Sequence, residues 1–212
     1  ALWLLSTPIY ETQEKQQASP MGAVFALLKD RSMRILFLGI VFIVGVDVGM
    51  NTVAPKLLIE RCGYAVEQAG IGSSFYFVCR TIGAFIGSFL LVRMSDSRYF
   101  QIHIFAAIIT MAILWFTHTT SGILHLVGLI GFTCSSIFSV IYSAALKSLP
   151  DKANEISGLM ITGICGGAVI PPLMGVSTDL IGNQTGSLAV IAGCMAYLAI
   201  CALLLRKVET KQ

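Results

Sequence analysis

The stretch RILFLGIVFIVGVDVGMNTVAPKLLIER, residues Arg34 to Arg61, decides the fold of this chain. It has the length and apolarity of a membrane-spanning helix, which needs about 20 apolar residues. Near its middle it carries Asp47 and Asn51. A carboxylate in hydrocarbon costs about 2.5–3.5 kcal/mol on insertion scales. We therefore expect Asp47 either to handle a solute or to form an ion pair with a cation elsewhere in the fold.

The composition of the whole chain is that of a membrane protein. Of its 212 residues, 56% are hydrophobic and 12% are charged, and the mean hydropathy is +0.82. A soluble domain carries about 25% charged residues. The net charge of +3 is too small to predict a nucleic-acid partner. The six cysteines lack the spacing of metal ligands, so we expect no metal and no cofactor.

Six apolar runs are long enough to cross a bilayer, and short polar joints separate them. We therefore predict an all-α membrane protein with a six-helix bundle over residues 34–206. The predicted spans are about 34–60, 68–92, 99–118, 122–146, 155–179 and 186–206.

The remaining segments flank this bundle. The chain begins inside an apolar run without an initiator Met, so we expect residues 1–8 to be the tail of a preceding transmembrane helix. Residues 9–33 read as a cytoplasmic linker that contains a short amphipathic segment. Residues 207–212 are the predicted cytoplasmic tail.

The basic residues predict the orientation. Six spans place both termini on one side, and that side carries nearly all of the lysines and arginines. The other side has only Lys56 and Arg61. The positive-inside rule therefore predicts cytoplasmic termini. One cation, Arg80, falls in the middle of the second span.

Arg80 and Asp47 are predicted to lie at the same depth. Each is thirteen residues from an arginine at the basic boundary, Arg34 for Asp47 and Arg93 for Arg80. At 1.5 Å per residue both charges lie about 20 Å from that boundary. They can form a fixed salt bridge, or they can line a water-filled cavity and contact a substrate. The sequence leaves both alternatives open.

The fourth span carries a polar face. Ser135, Ser139 and Tyr142 fall with two further serines on one arc at helical spacing. Such hydroxyls often bond only to carbonyls of their own helix. Together they predict a wetted surface that can bind a polyhydroxylated solute.

Small residues and prolines mark the predicted packing and moving elements. Gly83 and Gly87 form a GxxxG pair, which permits close approach between helices. In the fifth span, prolines that cannot donate backbone hydrogen bonds are expected to kink the helix. We therefore assign gating or packing to Gly166, Gly167, Pro171 and Pro172.

With these residues in place, the chain resembles the carboxy-terminal half of a major facilitator superfamily transporter. It is most similar to the fucose permease branch, whose members are sugar:proton symporters. The resemblance covers most of the chain from about residue 33 to residue 206. It is carried by CRTIGAFIGSFLLVRMSDSRYF (79–100), SSIFSVIYSAALKSLPD (135–151) and SGLMITGICGGAVIPPLMGVSTDLIG (157–182).

The resemblance implies a fold of twelve helices in two halves, with a central sugar site and alternating access. The six spans would then be helices seven to twelve, and an amino-terminal half of six helices would be the partner. The substrate would be a fucose, glucose or galactose type of sugar together with a proton, and the location the bacterial inner membrane. Expected substrate contacts are Asp47, Asn51, Arg80, Ser135, Ser139 and Tyr142.

The loop between the second and third spans is similar to a gating motif of that superfamily, although its pattern here is incomplete. By that resemblance, Arg93, Asp96 and Arg98 are assigned to gating.

Two other classes of protein stay open at this point. One is a receptor or assembly subunit that uses a transporter fold without transporting. The other is an intramembrane serine protease, which needs a serine nucleophile and a histidine at matching depth. The three histidines lie near span ends, and no serine has the required setting. We therefore predict that the protein is not an enzyme.

Overall fold

The structure is a computed structural model that describes residues 21–209. In this part of the chain the regular structure is entirely helical. Three 3₁₀ turns occur at Leu27–Lys29, Pro150–Lys152 and Gly163–Cys165. The α-helices are, in chain order, α1 (Met21–Ala26), α2 (Arg31–Cys62), α3 (Val66–Ala69), α4 (Ile71–Arg93), α5 (Asp96–Trp115), α6 (Thr120–Cys134), α7 (Ile137–Ser148), α8 (Ala153–Thr162), α9 (Gly166–Ile181) and α10 (Thr185–Glu209).

These helices form six apolar segments, within residues 21–209, that are long enough to cross a membrane, which confirms the six predicted spans. Their ends lie within a few residues of the predicted ones. The first to sixth spans are Arg31–Cys62, Val66–Arg93, Asp96–Trp115, Thr120–Ser148, Pro150–Ile181 and Thr185–Leu205.

Some predicted boundaries differ or lie outside the described residues. Helix α10 continues to Glu209, so residues 207–209, which were predicted to begin the tail, are helical. The predictions for residues 1–8, for the linker up to residue 20 and for residues 210–212 lie outside the part that the structure describes.

The first span begins and ends at residues with clear capping roles. Asp30 precedes it, and its Oδ1 accepts hydrogen bonds from the backbone N–H groups of Ser32 (2.8 Å) and Met33 (3.0 Å). An aspartate at this position satisfies donors that have no partner within the helix. The helix stops at Gly63, whose φ of 69° is left-handed and whose N–H bonds to the Ile59 carbonyl. Glycine takes this conformation without steric cost.

The first span is the centre of the bundle. It packs against the second, fourth, fifth and sixth spans, whereas the third span packs mainly against the fourth and the sixth. Its buried side chains include Ile40, Met50 and Leu57, each fully inaccessible to solvent. This central position brings Asp47, midway along the helix, into contact with side chains of the second span, beside a cavity that the fourth span also lines.

Glycines allow the closest contacts between spans. A Cβ on Gly166 would meet the carbonyl oxygen of Val41, and a Cβ on Gly45 would meet the side chain of Ile170. The fifth span therefore rests directly on the backbone of the first. Between the second and fourth spans, Gly83 faces the backbone of Phe132.

The two ends of the bundle have different charges. The basic end is defined here as the end with Arg31, Arg34, Arg93, Arg98, Lys147 and Lys152, and the opposite end as the one with Arg61. At the opposite end, Arg61 Nη1 donates to the carbonyls of Leu114 (2.9 Å) and Thr117 (2.8 Å), where the third span ends. Glu60 Oε2 accepts from the Gln184 N–H (2.8 Å), where the sixth span begins. These bonds tie the end of the first span to the end of the third and to the beginning of the sixth.

Candidate functional site

An ion pair lies in the middle of the bundle. Arg80 Nε is 2.7 Å from Asp47 Oδ1. Its N–H is not aimed at that oxygen, so the contact is an ion pair rather than an aligned hydrogen bond. The matched depth in the sequence had led us to consider this pairing. The side chains stay 35% (Arg80) and 24% (Asp47) exposed, so neither charge is sealed inside the described bundle.

A tyrosine that the sequence analysis did not select holds the same carboxylate. Tyr76 is fully buried, and its hydroxyl donates to Asp47 Oδ1 at 2.7 Å. A hydrogen bond to an ionised acceptor is stronger than one between neutral groups. Tyr76 lies four residues before Arg80, on the same face of α4. That spacing was the signal in the sequence that could have identified it.

The ion pair opens onto a small cavity of about 40 Å³. Its walls combine the two charges with apolar and thiol groups, namely Ile43, Val44, Asp47, Arg80, Cys134 and Phe138. A cavity of this size has room for a few water molecules. It is far smaller than the roughly 300–1,000 Å³ of a small-molecule pocket. The described residues around the ion pair therefore do not enclose a complete small-molecule pocket.

Asn51 lies one helical turn from Asp47, towards the opposite end. Its Oδ1 is buried and has no hydrogen-bond partner among the described residues. Its backbone carbonyl accepts from Ser73 Oγ at 2.9 Å, which ties the first span to the second. A buried acceptor without a donor costs about 1–3 kcal/mol. Asn51 thus presents an unused acceptor close to the ion pair.

The polar face of the fourth span is divided by a break in the helix. Helix α6 ends at Cys134 and α7 begins at Ile137. Beyond the break, Ser139 is exposed, and Tyr142 stacks against Phe138 with ring centroids 6.1 Å apart. Because Phe138 also lines the small cavity, this half of the face borders the ion pair.

Ser135, before α7, is placed differently. Its Oγ donates to the Phe132 carbonyl at 2.8 Å, and it lies where a Cβ on Gly83 would stand. The serine that follows, Ser136, is buried against Gly87. The structure therefore brings these two serines to the interface with the second span and not to the cavity.

The residues assigned to gating are distributed over three places. At the basic end, Asp96 Oδ2 lies 2.6 Å from Lys147 Nζ, a partner that the sequence analysis did not select. Arg93 and Arg98 are exposed nearby. Gly83 and Gly87 lie between the second and fourth spans, and Gly166 and Gly167 between the fifth and the first.

The interruption of the fifth span precedes its prolines. A 3₁₀ turn at Gly163–Cys165 separates α8 from α9. Pro171 and Pro172 lie inside α9. The change in helical geometry therefore occurs at the glycines, several residues before the site at which we expected a kink.

Within residues 21–209 no group of three acidic, cysteine or histidine side chains could hold a metal ion. The described serine–histidine contact, Ser121 Oγ to His125 Nδ1 at 3.3 Å, is exposed at the opposite end. Its position does not match an intramembrane nucleophile.

A family model described as Major Facilitator Superfamily matches residues 1–172. The chain belongs to the major facilitator superfamily. It is an integral membrane protein of this superfamily, with six apolar spans in the described part.

Transporters of two bacteria are similar to it over most of this chain. A glucose/galactose transporter of Brucella abortus biovar 1 (strain 9-941) is 29% identical over 171 residues, which are 79% of this chain and 40% of that protein. An L-fucose-proton symporter of Escherichia coli (strain K12) is 31% identical over 168 residues, 73% of this chain and 36% of that protein. The chain thus spans about two fifths of the length of the curated relatives it matches.

A solved structure shows the same fold. The crystal structure of a major facilitator superfamily transporter, FucP, in the outward conformation aligns with a TM-score of 0.81 and 22% sequence identity. The alignment covers 96% of this chain and 50% of that chain. The chain therefore has the fold of half a transporter of this superfamily.

Proposed function

We propose that this chain is the carboxy-terminal half of a secondary active transporter that moves a sugar of the fucose, glucose or galactose type together with protons. The observation that carries the proposal is the partly exposed ion pair between Asp47 and Arg80 in the middle of the spans. Ionisable residues at such depth usually face a cavity or pathway. The names of the similar transporters supply the class of substrate.

The wall around the ion pair suits a solute with many hydroxyl groups. Asp47 Oδ2 accepts no hydrogen bond from the described residues, because Tyr76 and Arg80 both contact Oδ1. Asn51 Oδ1 offers a second free acceptor. The Arg80 guanidinium supplies donors, since it carries five N–H groups. A sugar hydroxyl both donates and accepts, so it can satisfy these groups together.

Neighbouring side chains extend the proposed contact surface. Ser139 and Tyr142 would add hydroxyl groups from α7, on the side of the cavity that Phe138 forms. A substrate contact by Ser135 stays a prediction, although its hydroxyl already donates a hydrogen bond to the Phe132 carbonyl. The opposite wall would come from an amino-terminal half of six helices, and transport would proceed by alternating access.

The proposal includes location and orientation. The protein would lie in the inner membrane of a bacterium with both termini in the cytoplasm, because the basic end would then face inward. Binding and transport by this wall require no chemistry on the sugar, so we propose no enzymatic activity.

The test is uptake and counterflow of labelled fucose, glucose and galactose in vesicles that contain the protein. Asp47→Asn and Arg80→Ala are expected to lower uptake about 10- to 100-fold, since each removes a charged hydrogen-bonding group worth about 1.5–3 kcal/mol. Tm and yield in the membrane are the controls for folding. Wild-type protein that shows neither uptake nor counterflow of any of the sugars would favour the receptor or assembly-subunit alternative.

A double variant separates the two roles of the ion pair. Asp47→Asn with Arg80→Gln removes both charges. If the salt bridge is purely structural, removing both partners costs little stability, because no unpaired charge remains. We expect the double variant to regain the thermal stability that the single variants lose while its sugar uptake stays impaired. Recovery of uptake in the double variant would show that the ion pair has only a structural role.

A further inference from the structure

Helix α7 carries two parallel rows of side chains on the side that is turned away from the core. Its other side is buried in the bundle, where α7 packs against the first span and presents apolar residues, namely Ile137, Val140, Ile141 and Ala145. On the outer side, Phe138 and Tyr142 stand one helical turn apart, and Ser139 and Ser143 stand beside them at the same spacing. Ser139 is exposed and the other three are partly exposed. The outer side of α7 is therefore aromatic along one row and hydroxylated along the next.

The aromatic row begins beside the ion pair. Phe138 lines the small cavity together with Asp47 and Arg80. The Tyr142 ring follows at 6.1 Å between centroids, and the two ring planes differ by only 17°. From there α7 continues towards the basic end, where Lys147 lies. One aromatic surface thus extends from the paired charges along the fourth span. Aromatic walls with a few polar groups are typical of small-molecule sites.

The hydroxyl row is free to bind a ligand. Serines inside a helix usually bond back to their own backbone. Two serines of the same span do so, since Ser135 Oγ donates to the Phe132 carbonyl at 2.8 Å and Ser148 Oγ donates to the Ala145 carbonyl at 2.6 Å. The hydroxyl groups of Ser139 and Ser143 make no hydrogen bond with any residue that the structure describes. They therefore offer unused donors and acceptors alongside the aromatic row.

A pyranose sugar is divided in the same way, with C–H groups on its faces and hydroxyl groups around its edge. In galactose and fucose, the galactose-type sugars, the hydroxyl at C4 is axial. The hydrogens at C3, C4 and C5 then lie together on one face of the ring. In glucose the hydroxyl at C4 is equatorial, and the hydrogen at C4 lies on the other face. Because the face of an aromatic ring carries negative charge density, it attracts the larger C–H patch more strongly.

We propose, on the basis of the transport function proposed above, that the aromatic row of α7 makes the site prefer a galactose-type sugar over glucose. The C3–C5 face of the sugar stacks on Phe138 and Tyr142. Hydroxyl groups at the ring edge reach the serine row on one side and the ion pair beside Phe138. Glucose can use the same polar groups, but it presents a smaller C–H patch to the two rings. Loss of an aromatic ring therefore weakens binding of the galactose-type sugar more than binding of glucose.

The test is counterflow of labelled galactose, fucose and glucose in vesicles that contain the protein, with the half-saturating concentration of each sugar as the readout. In the wild type we expect this concentration to be about five-fold lower for galactose or fucose than for glucose. Phe138→Leu should raise it about five-fold for the preferred sugar and less than about two-fold for glucose, because leucine is apolar but has no aromatic face. Phe105→Leu is the control and should change neither value, since Phe105 is 43% exposed on the third span, which does not line the cavity.

Two variants at Tyr142 separate the ring from its hydroxyl group. Tyr142→Phe keeps the ring and should keep the ratio between the half-saturating concentrations of glucose and the preferred sugar, whereas Tyr142→Leu should lower this ratio. If Phe138→Leu does not fold, this pair decides. Equal half-saturating concentrations for glucose and the better galactose-type sugar, or equal effects of Phe138→Leu on both, would overturn the selectivity and leave the proposed transport intact. A wild-type protein without counterflow of any of the three sugars would contradict the proposed function, and the selectivity with it.

Discussion

At the scale of single residues, two side chains contact the same oxygen atom of Asp47 in the centre of the bundle. Asp47 Oδ1 receives the Tyr76 hydroxyl and also contacts Arg80 Nε, each at 2.7 Å. These contacts fix the carboxylate and leave its other oxygen free of bonds from the described residues. The arrangement combines a held charge with an unused acceptor, as the proposed solute site requires.

Tyr76→Phe tests this arrangement. The variant removes only the hydroxyl, so we expect the unfolding free energy to fall by about 0.6–2 kcal/mol. This range begins at the average measured for hydrogen bonds between membrane helices and extends into the values for hydrogen bonds to charged groups. Tyr197→Phe is the matched control, because its hydroxyl donates to a neutral carbonyl, that of Ile35, at 3.2 Å. The measurement is the unfolding free energy in detergent micelles. A larger loss in Tyr197→Phe than in Tyr76→Phe would contradict the assigned role.

The sequence predicted part of this site, and its limits have a physical reason. Asp47 and Arg80 were identifiable because a charge at bilayer depth is costly and rare. Tyr76 was not identified, because an aromatic residue in an apolar span has an ordinary apolar explanation. Ser135 was grouped with Ser139 on the assumption of one continuous helix. The break after Cys134 turns it towards the second span instead.

At the scale of helices, glycine contacts determine how closely the spans approach each other. Gly166 lies against the backbone of Val41, which cannot move aside as the end of a flexible side chain can. In the same helix, Gly175 has no atom within 4 Å of the position where a Cβ would stand. Helix α9 therefore contains a glycine that packing requires, Gly166, and one that packing does not require, Gly175.

Gly166→Ala and Gly175→Ala form a matched pair for this element. We expect Gly166→Ala to lower the unfolding free energy by about 1–3 kcal/mol, as overpacked substitutions do. Gly175→Ala should leave it unchanged or raise it by about 0.5–1 kcal/mol, since alanine loses less conformational freedom in a helix. Thermal unfolding in one detergent compares both. Similar effects of the two substitutions would contradict the packing described here.

The existence of the six spans was predictable, but their internal breaks were not. Length and apolarity decide whether a segment crosses a bilayer, and both are properties of sequence alone. The break at Ser135 and Ser136 has no proline, and serines inside a helix usually bond back to their own backbone. In the fifth span, Pro171 and Pro172 lie within α9, and the 3₁₀ turn falls at Gly163–Cys165.

At the scale of the whole molecule, the charge difference between the two ends predicts the orientation. Lys152 and Asn183 are both exposed, at the basic and the opposite end respectively. In a background without reactive cysteines, Asn183→Cys should react with a membrane-impermeant maleimide in intact cells. Lys152→Cys should react only after the membrane is permeabilised. The reverse pattern would place the basic end outside and contradict the proposed topology.

The proposed transport requires that the middle of this bundle meets water and sugar. The most direct measurement is the rate at which Ser139→Cys reacts with a small membrane-impermeant thiol reagent, with and without transported sugar. Ile109→Cys is the control, because it is 62% exposed on the third span away from the ion pair. We predict rapid labelling of Ser139→Cys that the sugar slows several-fold, and almost no labelling of Ile109→Cys. Labelling of Ser139→Cys as slow as that of Ile109→Cys, or unaffected by any sugar, would contradict the proposed pathway.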